Sequence, residues 1–285
     1  MRHRSRKRLG HRLVILVGVV FFVGLTLYPL AYMLSGSLKE LGEIYGGFAT
    51  LLPRDPTLDN YRQLLFNNTL DQTNFLVNAR NSATVAAMTI AMTMAVSVPA
   101  AYVLARQHNA VVTVVRGWVR VAQVVGGIVV IIPLYLILRQ LDLIDTLLAV
   151  SLAQTIPASA FSIWMLVAFI RQVPHETEEA ARIDGAGEWR ILRHVIVPLT
   201  RPGMVSVVLV VFLMSWNDFL NPLILLSDPS RYTVTVALYT FIGQVGQISW
   251  GQLLGFGLLS CVPALLVIIF AERHIVRGLL GGAVK

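Results

Sequence analysis

HETEEAARIDGAG, from His175 to Gly187, is a charged insert between two long apolar runs. Pro174 suits the first turn of a helix, where its missing N–H is not needed. Glu176, Glu178 and Glu179 follow at the end where the helix dipole favours negative charge. Ala180, Ala181 and Ile183 continue the helix, and Gly185 stops it, because glycine takes the left-handed conformation without a Cβ clash. A second helix is expected from about Glu188 to Val197, broken by Pro198 and Pro202. On it Trp189, Leu192 and Ile196 recur at spacings of three and four, which predicts one apolar face. The stretch therefore reads as two short helices meeting at a glycine corner. The bland alternative is a surface hairpin that only joins two spans. The bare Ala180-Ala181 pair argues for more, since a face without bulk lets another surface approach closely.

The rest of the chain is built for lipid. Of 285 residues, 56% are hydrophobic and 13% are charged, against about 25% charged in soluble domains. Six runs are long enough to cross the hydrocarbon core as helices: about 12–34, 74–104, 117–138, 145–170, 203–226 and 251–271. Helices are expected because lipid offers nothing to an unpaired backbone group. The expected fold is all-α: a polytopic membrane helix bundle of six transmembrane helices in a single domain, 1–285. With both termini cytoplasmic, 17 of the 23 lysines and arginines fall on inside segments, as the positive-inside rule requires. The segment 171–202, which holds the hairpin, is then an inside loop. The apolar run after MRHRSRKRLGHR is too long for a signal-peptide core and lacks a small-residue cleavage site, so it is expected to remain as the first span. The net charge of +8 does not indicate nucleic acid, because the basic residues cap apolar runs and form no aromatic-interleaved groove. Cys261, the single cysteine, excludes an intramolecular disulfide and a multi-cysteine metal site.

The segment EEAARIDGAGEWRILRHVIVPLTRP, Glu178 to Pro202, resembles the cytoplasmic EAA loop of ABC importer permeases. Glu179-Ala180-Ala181 is followed by Gly185 at the family spacing. Val195 stands where isoleucine is usual, and Val197-Pro198 where Leu-Pro is usual. Asp184 beside the glycine, the stretch SWNDFLNPLILLSDPSRYTVTVAL and the segment ERHIVRGLLGGAVK are similar to the MalG-like, carbohydrate-uptake branch. The resemblance implies a type I importer permease fold in the plasma membrane of a prokaryote-type cell. It implies a sugar, polyol or oligosaccharide as substrate. It also implies a second permease subunit, two ATPase subunits and an external solute-binding protein as partners. Glu178, Glu179, Ala180, Ala181, Asp184, Gly185, Ala186 and Trp189 are implied to couple the hairpin to the ATPase. In similar permeases the tail Gly278–Lys285 also reaches the ATPase, a frayed terminus being the other reading. No cofactor is expected on this chain. A phosphate-binding loop needs a lysine after glycine, and Lys7, Lys39 and Lys285 follow none. The chain is accordingly expected not to be an enzyme, with ATP used by a partner. The alternative is a stand-alone, ion-coupled secondary transporter, and a scaffolding membrane protein is a third class.

Other constellations carry less. His175-Glu176 shares the start of the H-E-x-x-H zinc motif, but Glu179 stands where the second histidine is needed. Within the fifth span, Asn217, Asp218 and Asn221 are candidates for a gate or sugar path, with Asn217 and Asn221 on one helix face at a spacing of four. The competing reading is a structural hydrogen-bond node or a helix end. Gln123, Gln154, Thr155 and Ser159 either line the pathway or bridge helices. Pro133 and Pro157 are expected kink sites. Gly251 and Gly255 form a G-x-x-x-G, which predicts close helix contact.

Overall fold

The computed structural model describes residues 2–45, 52–66, 74–124, 127–243 and 249–280; over 2–14 and 271–280, and at 41, 45, 124, 127, 128 and 243, it describes backbone alone. The described helices are α1 (Arg2–Ser37), α2 (Leu41–Tyr45), α3 (Asp59–Phe66), α4 (Phe75–Arg106), α5 (Ala110–Val124), α6 (Gly127–Gln140), α7 (Leu147–Ile170), α8 (His175–Ile183), α9 (Glu188–Ile191), α10 (Val197–Leu199), α11 (Arg201–Trp216), α12 (Leu220–Leu225), α13 (Val234–Gly243) and α14 (Trp250–Leu280). A π-helical turn, Leu192–Ile196, joins α9 to α10, and a 3₁₀ turn, Pro229–Arg231, precedes α13. Of the tail Gly278–Lys285, expected either to reach the ATPase or to fray, residues 281–285 lie outside the described residues.

Four helices among the described residues are long and apolar enough to span a membrane: Ile15–Ser37, Phe75–Arg106, Leu147–Ile170 and Trp250–Phe270. They match the first, second, fourth and sixth expected runs. The third run falls on α5 and α6, either side of residues 125 and 126, which lie outside the described residues. The fifth needs a correction. Instead of one helix over 203–226, α11 stops at Trp216 and α12 begins at Leu220. Pro222 favours the break, since it has no N–H for the carbonyl four residues back and its ring would collide with it. That carbonyl, on Asp218, accepts the Thr235 hydroxyl instead, at 2.7 Å. At its other end α11 meets the preceding helical segment Glu188–Leu199 at a bend of 81°.

The chain divides into two compact units. In the first, Met1–Asn74 with Thr240–Cys261, Asn60 donates through Nδ2 to the carbonyls of Ser37 and Lys39, both at 3.0 Å. The Ser37 and Tyr61 hydroxyls bond at 2.7 Å. Gly251 and Gly255 pack here. A Cβ on Gly251 would lie 2.5 Å from the Asn60 amide nitrogen, and one on Gly255 would lie 3.3 Å from Leu64. The G-x-x-x-G thus makes the close contact its spacing predicts, against α3.

In the second unit, Phe75–Tyr239 with Val262–Lys285, α4 and α7 lie along each other and α11 packs on both. Small residues allow the approach: Ala86, Thr93, Ser97 and Ala101 on α4 and Ala149, Ala153 and Ala158 on α7 are all buried. At the α4 N-terminus, Asn78 and Asn81 donate to the carbonyls of Tyr232 and Ser230 at 3.0 and 2.9 Å. The Ser82 hydroxyl accepts from the Val234 N–H at 2.9 Å. These bonds strap the 230–234 segment onto α4. The α4 C-terminus contributes Ala101, Tyr102 and Ala105 to an apolar cluster with Leu166, Ile170, Ile191, Leu192 and Ile196, and this cluster seats the hairpin.

Candidate functional site: the charged hairpin and the polar node

The hairpin corner forms as the glycine predicts. Helix α8 ends at Ile183, and Gly185 adopts φ +80°. The Gly185 N–H donates to the Arg182 carbonyl and the Ala186 N–H to the Ala181 carbonyl, each at 3.0 Å. That pair of bonds is the Schellman closure, which satisfies carbonyls the helix end would otherwise orphan. The second helix does not run evenly. Its turns widen to a π-helix over Leu192–Ile196, just ahead of Pro198, which offers no N–H to the His194 carbonyl.

The apolar face of that helix differs from expectation. Ile191, Leu192 and Ile196 are buried, while Trp189 is 68% exposed. Trp189 and Ile191 are two residues apart, about 200° round a helix, so seating Ile191 turns Trp189 outward. With Trp189 on the open surface are Glu179, Ala180, Asp184, Gly185 and Ile183, the last 86% exposed. Ala181 and Ala186 are half-buried. A shallow cleft of about 280 Å³ opens beside them, lined by Ala181, Asp184, Ala186, Arg190, His194 and Val195.

Glu178 behaves differently from the other coupling candidates. It turns inward and is fully buried. Arg106 of α4, itself only 8% exposed at its side chain, meets Glu178 Oε1 at 2.5 Å through Nη2 and at 2.7 Å through Nε. The same Nη2 donates to the Val173 carbonyl at 2.8 Å. The Tyr102 hydroxyl lies 3.2 Å from Glu178 Oε2 and donates to Glu188 Oε2 at 2.7 Å. Arg182 closes the set with a 2.9 Å bond to Glu188 Oε1. The bonds from Arg182 and Tyr102 hold the Glu188 carboxyl below the usual carboxylate range. Arg106, Tyr102 and Glu188 were not singled out from sequence. The available signal was the four-residue spacing of Tyr102 and Arg106 at the end of an apolar run, which puts both on one helix face.

Three of the five pathway candidates meet in a second cluster. Gln154 donates through Nε2 to Asp218 Oδ2 at 2.8 Å, and Asn221 donates through Nδ2 to the same oxygen at 2.7 Å. Gln154 Oε1 accepts from Thr89 at 3.1 Å and from Ser215 at 2.5 Å. Asp218 Oδ1 accepts the Leu220 and Asn221 N–H groups at 3.2 and 3.4 Å, at the start of α12. The arrangement is a hydrogen-bond node that bridges α4, α7, α11 and α12. Asn217 and Gln123 are not part of it. Asn217 bonds back to the Leu213 carbonyl at 2.8 Å, and Gln123 donates to the Ala160 carbonyl at 3.0 Å. Asn217 and Asn221 share no helix face, because the helix breaks between them. Asn221 alone of the five lines a cavity of about 210 Å³, among Trp118, Val121, Ile131, Ile156 and Pro157.

Residues 87–279 match the family described as binding-protein-dependent transport system inner membrane component. A putative ABC transporter permease protein of Streptomyces antibioticus is 40% identical over 82% of this chain and 100% of its own length. The trehalose/maltose transport system permease protein MalG of Thermococcus litoralis is 27% identical over 98% of this chain and 99% of its own. Among solved structures, a chain of a bacterial ABC transporter that imports alginate superposes with a TM-score of 0.79, covering 95% of this chain and 97% of that one at 22% identity. The match spans both the hairpin and the node, and it is long enough to assign the chain: this protein belongs to the family of inner-membrane components of binding-protein-dependent transport systems.

Proposed function

We propose that the chain is the membrane permease subunit of an ATP-driven importer for a sugar or a related polyol or oligosaccharide. It works beside a second permease subunit, two ATPase subunits and an external solute-binding protein. The hairpin is the docking element for the ATPase. The observation that carries this reading is the outward face at the Gly185 corner: Ala180, Ile183, Gly185 and Trp189 are exposed together on a hairpin seated firmly on α4. Ile183 and Trp189 offer apolar area at the tip of a charged loop, the composition expected of an interface anchor. ATP-driven closure of two docked ATPase subunits would favour one conformation of the bundle by differential affinity.

The sugar class rests on the relatives, the Thermococcus permease for trehalose and maltose among them. Against a stand-alone ion-coupled transporter, both oxygens of Asp218 are already occupied by neutral donors. Reconstitution tests the reading. Uptake of a disaccharide into vesicles should require the ATPase subunits, ATP and the binding protein together. Uptake by the permease alone, driven by an ion gradient, would overturn it.

A further inference from the structure

Arg106 and Glu178 do more than the docking reading requires. The hairpin is covalently joined to α7 and α11, yet its one fully buried charge is tied to α4. Glu178 is closed on every side: Arg106 reaches Oε1 through two nitrogens, at 2.5 and 2.7 Å, and Tyr102 and Arg182 stand at 3.2 and 3.6 Å from Oε2. Arg106 is fixed in turn by the Val173 carbonyl at 2.8 Å, where the chain enters the hairpin. A buried ion pair stabilises little compared with an apolar contact of the same size, and here the two Arg106 nitrogens on one Glu178 oxygen tie α4 to the hairpin directionally. The other end of α4 holds the 230–234 strap through Asn78, Asn81 and Ser82. One helix therefore carries directional polar attachments to the hairpin at its C-terminus and to the opposite loop at its N-terminus.

We infer that the Arg106–Glu178 pair is the joint that passes hairpin displacement into α4 and on to the 230–234 strap. Both are positioning residues rather than part of the docking face. The inference rests on the docking reading above.

The double variant R106M/E178M separates a joint from a mere stabiliser, because apolar replacement of a whole buried pair commonly preserves stability. It is assembled with the partner permease and ATPase subunits and carries Ala180→Cys for cross-linking to the ATPase. The expected result is a full cross-link and wild-type melting of the complex, with uptake per assembled complex lower by on the order of tenfold, the scale of an ordinary coupling term. Uptake equal to wild type with the cross-link intact overturns the joint. If the double variant does not assemble, R106K decides. It keeps the charge and loses the fork, so a comparable fall in uptake supports the joint and unchanged uptake overturns it. Absence of the Ala180→Cys cross-link in the otherwise wild-type chain overturns the docking reading, and the joint falls with it. A cross-link with undiminished uptake in the variant overturns the joint alone.

Discussion

Substitution of Gly185 separates two physical effects that usually act together. At φ +80° an added Cβ meets nothing within 4 Å in this chain. The intrinsic cost is therefore backbone strain alone, about 1–2 kcal/mol for alanine and less for asparagine, which enters the left-handed region more readily. That strain opposes the two 3.0 Å closing bonds of the corner and should raise local opening about 5- to 30-fold. Hydrogen exchange at Gly185 and Ala186 should therefore rank G185A as more disturbed than G185N. Transport should rank the other way. If the ATPase packs against this bare corner, the cost follows side-chain bulk outside the chain. G185N and G185D should then lose more uptake than G185A, with normal insertion into the membrane. The reasoning is refuted if uptake follows the exchange data, with G185N milder than G185A, or if all three variants transport normally.

Glu179→Lys reverses an exposed charge beside the alanine pair and should abolish ATP-driven uptake while leaving the melting temperature of the chain within a degree or two of wild type, since isolated surface substitutions stay within about 0.5 kcal/mol. Asp218→Ala removes the acceptor of the Gln154 and Asn221 side-chain amides, and should destabilise the purified chain by about 2–4 kcal/mol in thermal melts, on the scale of 1–3 kcal/mol per orphaned group; an unchanged melt would show that the node is dispensable. Gly251→Ala drives a Cβ into the Asn60 amide, whereas at Gly257 it meets only the flexible tip of Met33 at 2.9 Å. The first should lower the melting temperature clearly and the second only slightly. The depressed Glu188 carboxyl contributes its stabilisation above the ordinary carboxylate pKa and loses it as pH falls through its lowered value. Hairpin opening, followed by cysteine accessibility at Ala186→Cys, should thus be flat from pH 7 to pH 5 and rise only in stronger acid, a rise that Glu188→Gln should remove.

The sequence shows the membrane class, four of the spans and the glycine corner directly, because each rests on a local rule. Run length marks α1, α4, α7 and α14, and one glycine at the right offset stops α8. What sequence reading got wrong depends on neighbours or on an overlooked proline. Pro222 was available as a signal for the break after Trp216, but the apolar run around it favoured an unbroken span. Trp189 and Ile191 compete for one seat on α4, and spacing alone could not choose between them. Glu178 and Glu179 are adjacent carboxylates that the chain treats in opposite ways, one sealed against Arg106 and one facing out. Only the position of α4, far away in sequence, separates them. The pairing of Gln154 with Asp218 is likewise non-local, so both residues were visible as polar groups in apolar runs, and their partnership was not.

The most direct test of the central claim is thiol labelling of the hairpin's outward face. Ala180→Cys and Trp189→Cys, in a Cys261→Ser background, are exposed to a membrane-impermeant maleimide in sealed vesicles of both orientations, with and without the ATPase subunits. The account predicts labelling only from the cytoplasmic side, and protection of both positions once the ATPase is bound. Labelling from the external side, or equal labelling with the ATPase present, would contradict it.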